Sequence, residues 1–238
     1  STYSHVAPTV PGTYTVKVES GNPNYILTGT TQATLTISSP SGKTDVSGET
    51  SVIPPDSLIY DGVPKVYNAL NEQINGLKCT YYGINGEQLM SAPTDAGDYT
   101  VVITGETTEA YVAKVVEFTI QKATPILTLK PTSSTVGSNG EATVFTYSYN
   151  GDGAVSVKIS DENIATVSVN GTTITVTGYK AGNANIIVSA TEGKNYNAAS
   201  ATSTLTVTQY LPEAPSDSDD SSSSSSGSTS VRRYNIEA

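Results

Sequence analysis

The chain is poor in side chains that do chemistry. It has one histidine, His5, and one cysteine, Cys79, in 238 residues. A nucleophile needs a base within hydrogen-bond reach, and His5 is the sole imidazole that could supply one. His5 reads as a surface or boundary residue, and Cys79, on a predicted strand beside Tyr81, as a small buried hydrophobe. Asp95 with Glu87 could form the carboxylate pair of glycoside hydrolysis, but that needs a cleft that small strand-built units seldom offer. Hard oxygens are denser at Asn150, Asp152, Asp161, Glu162 and Asn163, on two neighbouring turns, which makes these candidate calcium ligands. They lack the Asp-x-Asp-x-Asp-Gly spacing and read first as turn caps. Lys78 or Lys114, with Glu117 as the acid, could be tried as an intramolecular isopeptide site, although no motif specifies it. Tyr81 and Tyr82 are candidate ligand contacts, since a tyrosine ring offers a flat apolar face to a sugar. Adjacent strand residues point to opposite sides, so one of the two should face solvent; covering the sheet through cross-strand pairing is the plainer role for it. There is no metalloprotease helix motif, no Gly-x-Ser-x-Gly and no phosphate-binding glycine loop. No catalytic residue and no cofactor site is assigned.

What positions these residues is a repeat. "APTVPGTYTVKV" (7–18) returns as "APTDAGDYTVVI" (92–103) and, blurred, as "GYKAGNANIIV" (178–188), with Gly12, Gly97 and Gly182 each 85 residues apart. After each glycine the apolar residues alternate: Tyr14, Val16, Val18; Tyr99, Val101, Ile103; Ala184, Ile186, Val188. Period two predicts strands with one buried face. A turn carrying Tyr25, Tyr111 or Tyr196 follows, then a second alternating run. Five Asn-Gly pairs supply the positive φ of tight hairpins, most clearly Asn170-Gly171 between predicted strands 165–169 and 172–177. Asn170-Gly171-Thr172 also matches a glycosylation sequon, but the turn reading takes precedence. Short strands, frequent turns and no amphipathic helix predict an all-β chain of tandem antiparallel sandwiches.

The repeat sets the boundaries. Residues 1–39 hold only the closing strands of a unit and are expected to be the tail of a truncated one. Residues 40–51, polar and turn-rich, are expected to be a linker. A full unit runs over 52–122, and "QKATP" leads directly into the next, 123–209, so that junction is expected to be short and stiff. From 210 to 238 the Ser/Asp-rich chain is expected to be a disordered tether followed by the start of another strand; its acidic run at 217–220 reads as a solubilising spacer.

A charge of −10 with no basic patch argues against nucleic acid as a partner. No stretch of about 18 apolar residues occurs to span a bilayer. Residue 1 is Ser and the only Met is Met90, so residue 1 is expected to be a processing site or an excised boundary, and a signal peptide could have preceded it. The lone cysteine cannot form an internal disulfide, which weighs toward a bacterial rather than an animal origin.

Asp95 to Tyr99, "DAGDY", has the spacing of the tyrosine corner of immunoglobulin-like sandwiches, and Tyr14 repeats it; Tyr14 and Tyr99 are therefore the expected structural corner residues. Residues 52–122, with Tyr60-Asp61-Gly62, Ala96-Gly97-x-Tyr99 and Ile120-x-Lys122-Ala123, resemble the MBG-type repeats of bacterial surface adhesins, and residues 1–39 look like the final half of a similar copy. Residues 123–209, with "IATVSVNGTTITVTGYKAGNANIIVSA", look like bacterial Ig-like group 2 modules. The resemblance implies tandem immunoglobulin-like β-sandwiches joined by short linkers, in an extracellular protein, secreted or on the cell surface. It implies non-catalytic stalk or adhesion modules, monomeric within a longer chain, with a glycan of host or cell wall or an extracellular protein as possible partner. Accessory modules of a secreted polysaccharide-degrading enzyme are the alternative.

Overall fold

The computed structural model describes residues 7, 8, 10–21 and 24–212. His5 and the stretch 213–238 of the expected tether lie outside the described residues. In chain order the strands are β1 (Gly12–Lys17), β2 (Gln32–Ile37), β3 (Thr44–Asp45), β4 (Ser51–Ile53), β5 (Asn68–Leu70), β6 (Lys78–Gly83), β7 (Gly97–Glu106) and β8 (Ala110–Ile120). They continue with β9 (Leu127–Lys130), β10 (Ser133–Gly137), β11 (Ala142–Tyr149), β12 (Val155–Ile159), β13 (Ala165–Asn170), β14 (Thr173–Gly178), β15 (Gly182–Ala190) and β16 (Ala199–Thr208). A 3-10 turn at Ser47–Glu49 is the one helical element among the described residues.

β1 and β2 form a two-stranded sheet of their own. In the second unit the sheet β3-β8-β7-β6 faces the pair β4-β5, and in the third the sheets β10-β16-β15-β12 and β13-β14-β11-β9 face each other. The predicted alternation is what fills the cores: Ala184, Ile186 and Val188 of β15 are at most 2% exposed, because every second side chain of the strand points inward. Two separate clusters result, one around Val101, Ile103, Phe118 and Ile120, the other around Phe145, Ile174, Ile186 and Leu205. Asn170-Gly171 makes the expected hairpin between β13 and β14, with Gly171 at φ 58°.

The three marker glycines share one conformation and one register. Gly12, Gly97 and Gly182 have φ of 158°, 154° and 155°, where an L-residue is strained. They sit opposite Ile37, Ile120 and Val207, each opening an antiparallel hairpin. Tyr14 Oη donates to the Val10 carbonyl at 2.9 Å, and Tyr99 Oη to that of Asp95 at 3.0 Å, folding each ring back over its glycine. In the third copy Ala184 has no ring, and the side chain of Ile164 occupies the space over Gly182.

The stretch 40–51 departs from the linker expected of it. Thr44–Asp45 pairs in parallel with Ala110–Tyr111, and Val46 is 2% exposed in the second core. Thr50 Oγ1 donates to the Val46 carbonyl, and Asn71 Nδ2 donates to both. The connection proper is Ser38 to Lys43. One apolar side chain in a polar run gives no period to read, and its burial follows from pairing with a strand some 65 residues later.

Candidate functional site

The sequence-predicted site residues scatter. Tyr81 faces inward at 6% exposure, its hydroxyl oxygen accepting from Tyr67 N–H at 2.7 Å and its ring edge-on to Phe118. Tyr81 as a ligand contact is thus corrected: reaching it would mean opening the core. Tyr82, on the opposite face, is half-buried and pairs with Thr100 and Gln88. Asn150 Oδ1 accepts from Ile126 N–H, Asp152 Oδ2 from Asn195 N–H, and Asp161 Oδ1 from both Asn163 nitrogens. These oxygens act as turn and loop caps, and among the described residues no three His, Cys, Asp or Glu side chains gather to hold a metal ion. Lys114 Nζ donates to the carbonyls of Ser47 and Thr50. It lies three residues from Glu117 on β8, so the two side chains leave opposite faces of the sheet. Cys79 is half-buried, and that burial pushes its thiol pKa up, away from the thiolate a nucleophile needs.

What the fold brings together is a joint. The hairpin loop between β15 and β16 reaches back to the corner that precedes β7. Asn195 is its centre, with all four of its polar groups engaged. Its side-chain Oδ1 accepts from Ala96 N–H at 2.8 Å, and its Nδ2 donates to Asp95 Oδ1 at 3.1 Å. Its main-chain carbonyl accepts from Ala123 N–H at 2.9 Å, and its N–H donates to Asp152 Oδ2 at 2.8 Å. Asn197 N–H donates to the Ala123 carbonyl, closing a parallel bridge between Ala123 and Tyr196. Lys122 Nζ donates to the Gly193 carbonyl at 2.7 Å and pairs with Glu192, while Lys194 pairs with the second oxygen of Asp95. The rings of Tyr60 and Tyr196 meet edge-on with centroids 5.4 Å apart, an orientation that aromatic quadrupoles favour.

Asp95 serves both fold and joint. Its carbonyl holds the Tyr99 hydroxyl while its carboxylate takes Lys194 and Asn195. The Lys194 ammonium, chiefly through its hydrogen bond, holds the Asp95 carboxyl below the usual carboxylate range, and Asp95 in turn raises Lys194. With side chains 43% and 67% exposed, this ion pair is worth little by itself, of the order of a surface pair. The directional bonds of Asn195 fix the geometry. In the sequence Tyr196 and Asp95 each belong to a separate copy of the repeat, and nothing in their spacing joins them. The signal available was the run of Glu192, Lys194 and Asn195 in a hairpin loop facing a two-residue connection.

Residues 123–203 match the family model of the bacterial Ig-like domain (group 2). That match spans the Ig-like unit from the joint's Ala123 through its Asn195 loop and into β16. No curated protein matches the chain. Among solved structures, domains 4 and 5 of the S-layer protein SbsC share 17% identity, covering 67% of this chain and 97% of theirs at a TM-score of 0.33. The fibronectin(III)-like modules of Clostridium thermocellum CbhA share 13%, covering 67% and 95% at 0.29. Titin domains I67–I69 share 8%, covering 72% and 63% at 0.29.

Proposed function

We propose that this chain is a run of non-catalytic spacer modules of an exported bacterial surface protein, serving to hold or present a binding region. The observation that carries the reading is the direct joint of the second and third units. An interface whose polar groups are spent on fixing the angle between two sandwiches suits a part that transmits orientation. The match of residues 123–203 to bacterial Ig-like domains supports the setting, as does the resemblance of 52–122 to MBG-type repeats. No helix among the described residues is long and apolar enough to cross a membrane. Attachment through other segments of the protein and a glycan or extracellular-protein partner belong to the same proposal. Intact cells of the source organism test it: antibody to residues 52–209 should label them, and protease should remove the epitope without lysis. Protection from protease until lysis would overturn the reading. Retention of the chain on polysaccharide, lost in Tyr82→Ala, would turn it toward accessory modules of a secreted enzyme.

A further inference from the structure

We infer that the joint is keyed: the corner of the second unit accepts as its neighbour a unit whose closing loop presents a carboxamide flanked by an ammonium, and bending of the chain concentrates in the unkeyed connection before it. The inference deepens the spacer reading and uses it only for the purpose of the bend.

The key is two residues long. At the positions just before Gly97 stand Asp95 and Ala96, which supply a carboxylate and a main-chain N–H to Asn195. At the same distance before Gly12 stand Val10 and Pro11. Valine has no carboxylate, and proline has no N–H to donate. The first corner nevertheless keeps its own fold, because Tyr14 Oη still reaches the Val10 carbonyl. Before Gly182 stand Lys180 and Ala181, an ammonium where the second corner has its carboxylate, which would repel a loop built like that of Lys194. One of the three corners therefore fits a loop with Lys194-Asn195, and it is the corner on which that loop sits.

The neighbouring connection matches this division. Ser38 to Lys43 separates β2 from β3, and an open cleft of about 380 Å³ lies between Pro11, Ile37 and Pro40 on one side and Gly105, Tyr111 and Ala113 on the other. The bonds from this connection to the second unit are those of Ser39 with Tyr111 and Lys43 with Glu106. Both are single side-chain contacts, the exposed Ser39 reaching the hydroxyl of the buried Tyr111 and the half-buried Lys43 reaching the exposed Glu106, which leave the angle free to vary.

The test is nitrogen-15 relaxation and residual dipolar couplings on the whole chain, unaltered and as Asn195→Ala, as the double change Asp95→Val with Ala96→Pro, and as Tyr99→Phe. The unaltered chain should give the second and third units one common alignment tensor and tumbling time, with the β1–β2 hairpin following a different one. Asn195→Ala should split the common tensor into two and speed exchange of the Ala96 amide roughly fivefold to tenfold, the loss of one hydrogen bond. The double change should split it likewise. Tyr99→Phe, which removes the corner bond and leaves the key, should keep one tensor. A common tensor surviving in Asn195→Ala, or two tensors already present in the unaltered chain, would overturn the inference. Failure of the spacer reading itself would show as an intracellular location and would leave these couplings unchanged.

Discussion

The connection into the second unit and the connection out of it start from the same hairpin geometry and end differently. Gly12 opposes Ile37, and Gly97 opposes Ile120, in identical register. In both, a lysine of the connection finds a glutamate in the closing hairpin of the next unit, Lys43 with Glu106 and Lys122 with Glu192. In both, the chain then pairs in parallel beside that hairpin. But six residues, Ser38 to Lys43, separate Ile37 from the parallel pairing of β3, whereas two, Gln121 and Lys122, separate Ile120 from the parallel bridge of Ala123. Among the described residues, the second joint alone also bonds to the preceding corner, through Asp95 and Ala96. A corner motif thus fixes the fold of a unit, and the residues beside its glycine, with the length of the connection, decide whether the next unit is held at an angle.

The comparison breaks most sharply in the cores. Ile103 is 0% exposed while Val18, the same step after its own marker glycine, is 58% exposed. Ile103→Ala should cost about 2–5 kcal/mol in urea unfolding of the second unit, whereas Val18→Ala should change stability by less than about 0.5 kcal/mol. Next come the corners. Gly97→Ala forces a side chain into φ 154° and should cost about 1–3 kcal/mol. Gly182→Ala should cost at least as much, because its Cβ would also press on Ile164 at 2.9 Å. Tyr99→Phe, losing one hydrogen bond, should cost about 1 kcal/mol, read as a fall in the melting temperature of the second unit.

The smallest effect is electrostatic. Asp95 has its pKa lowered in the folded chain, so its contribution is complete above the ordinary carboxylate value of about 4 and is lost as pH falls through the lower folded value. Lys194 is raised, so its contribution holds below the ordinary lysine value and fades only as pH rises past the folded one. Joint order should therefore be flat between about pH 5 and 9 and loosen below about pH 4, seen as faster exchange of the Ala96 amide. Lys194→Met should shift it less than Asn195→Ala, and added salt should mimic Lys194→Met.

Much of the architecture was legible in the sequence because it is written locally. A glycine that needs positive φ, a tyrosine two residues on and alternating apolar residues after it specify hairpin, register and corner within a dozen residues. The inward turn of Tyr81 rather than Tyr82 was not legible, since alternation fixes only that the two differ; packing against Tyr67 and Phe118 chose between them. Val46 was hidden by its polar neighbours. The joint was hidden by distance, for Asn195 and Asp95 are 100 residues apart, and each alone reads as an ordinary loop residue.

Double electron–electron resonance across both joints tests the central claim most directly. With Cys79 replaced by serine, one pair of spin labels at Thr34 and Glu117 spans the first connection, and a second pair at Glu117 and Ser156 spans the second; all three sites are exposed. The account predicts a narrow distance distribution for Glu117–Ser156 and a broad one for Thr34–Glu117. Equal widths, or a broader distribution across the Asn195 joint, would contradict it.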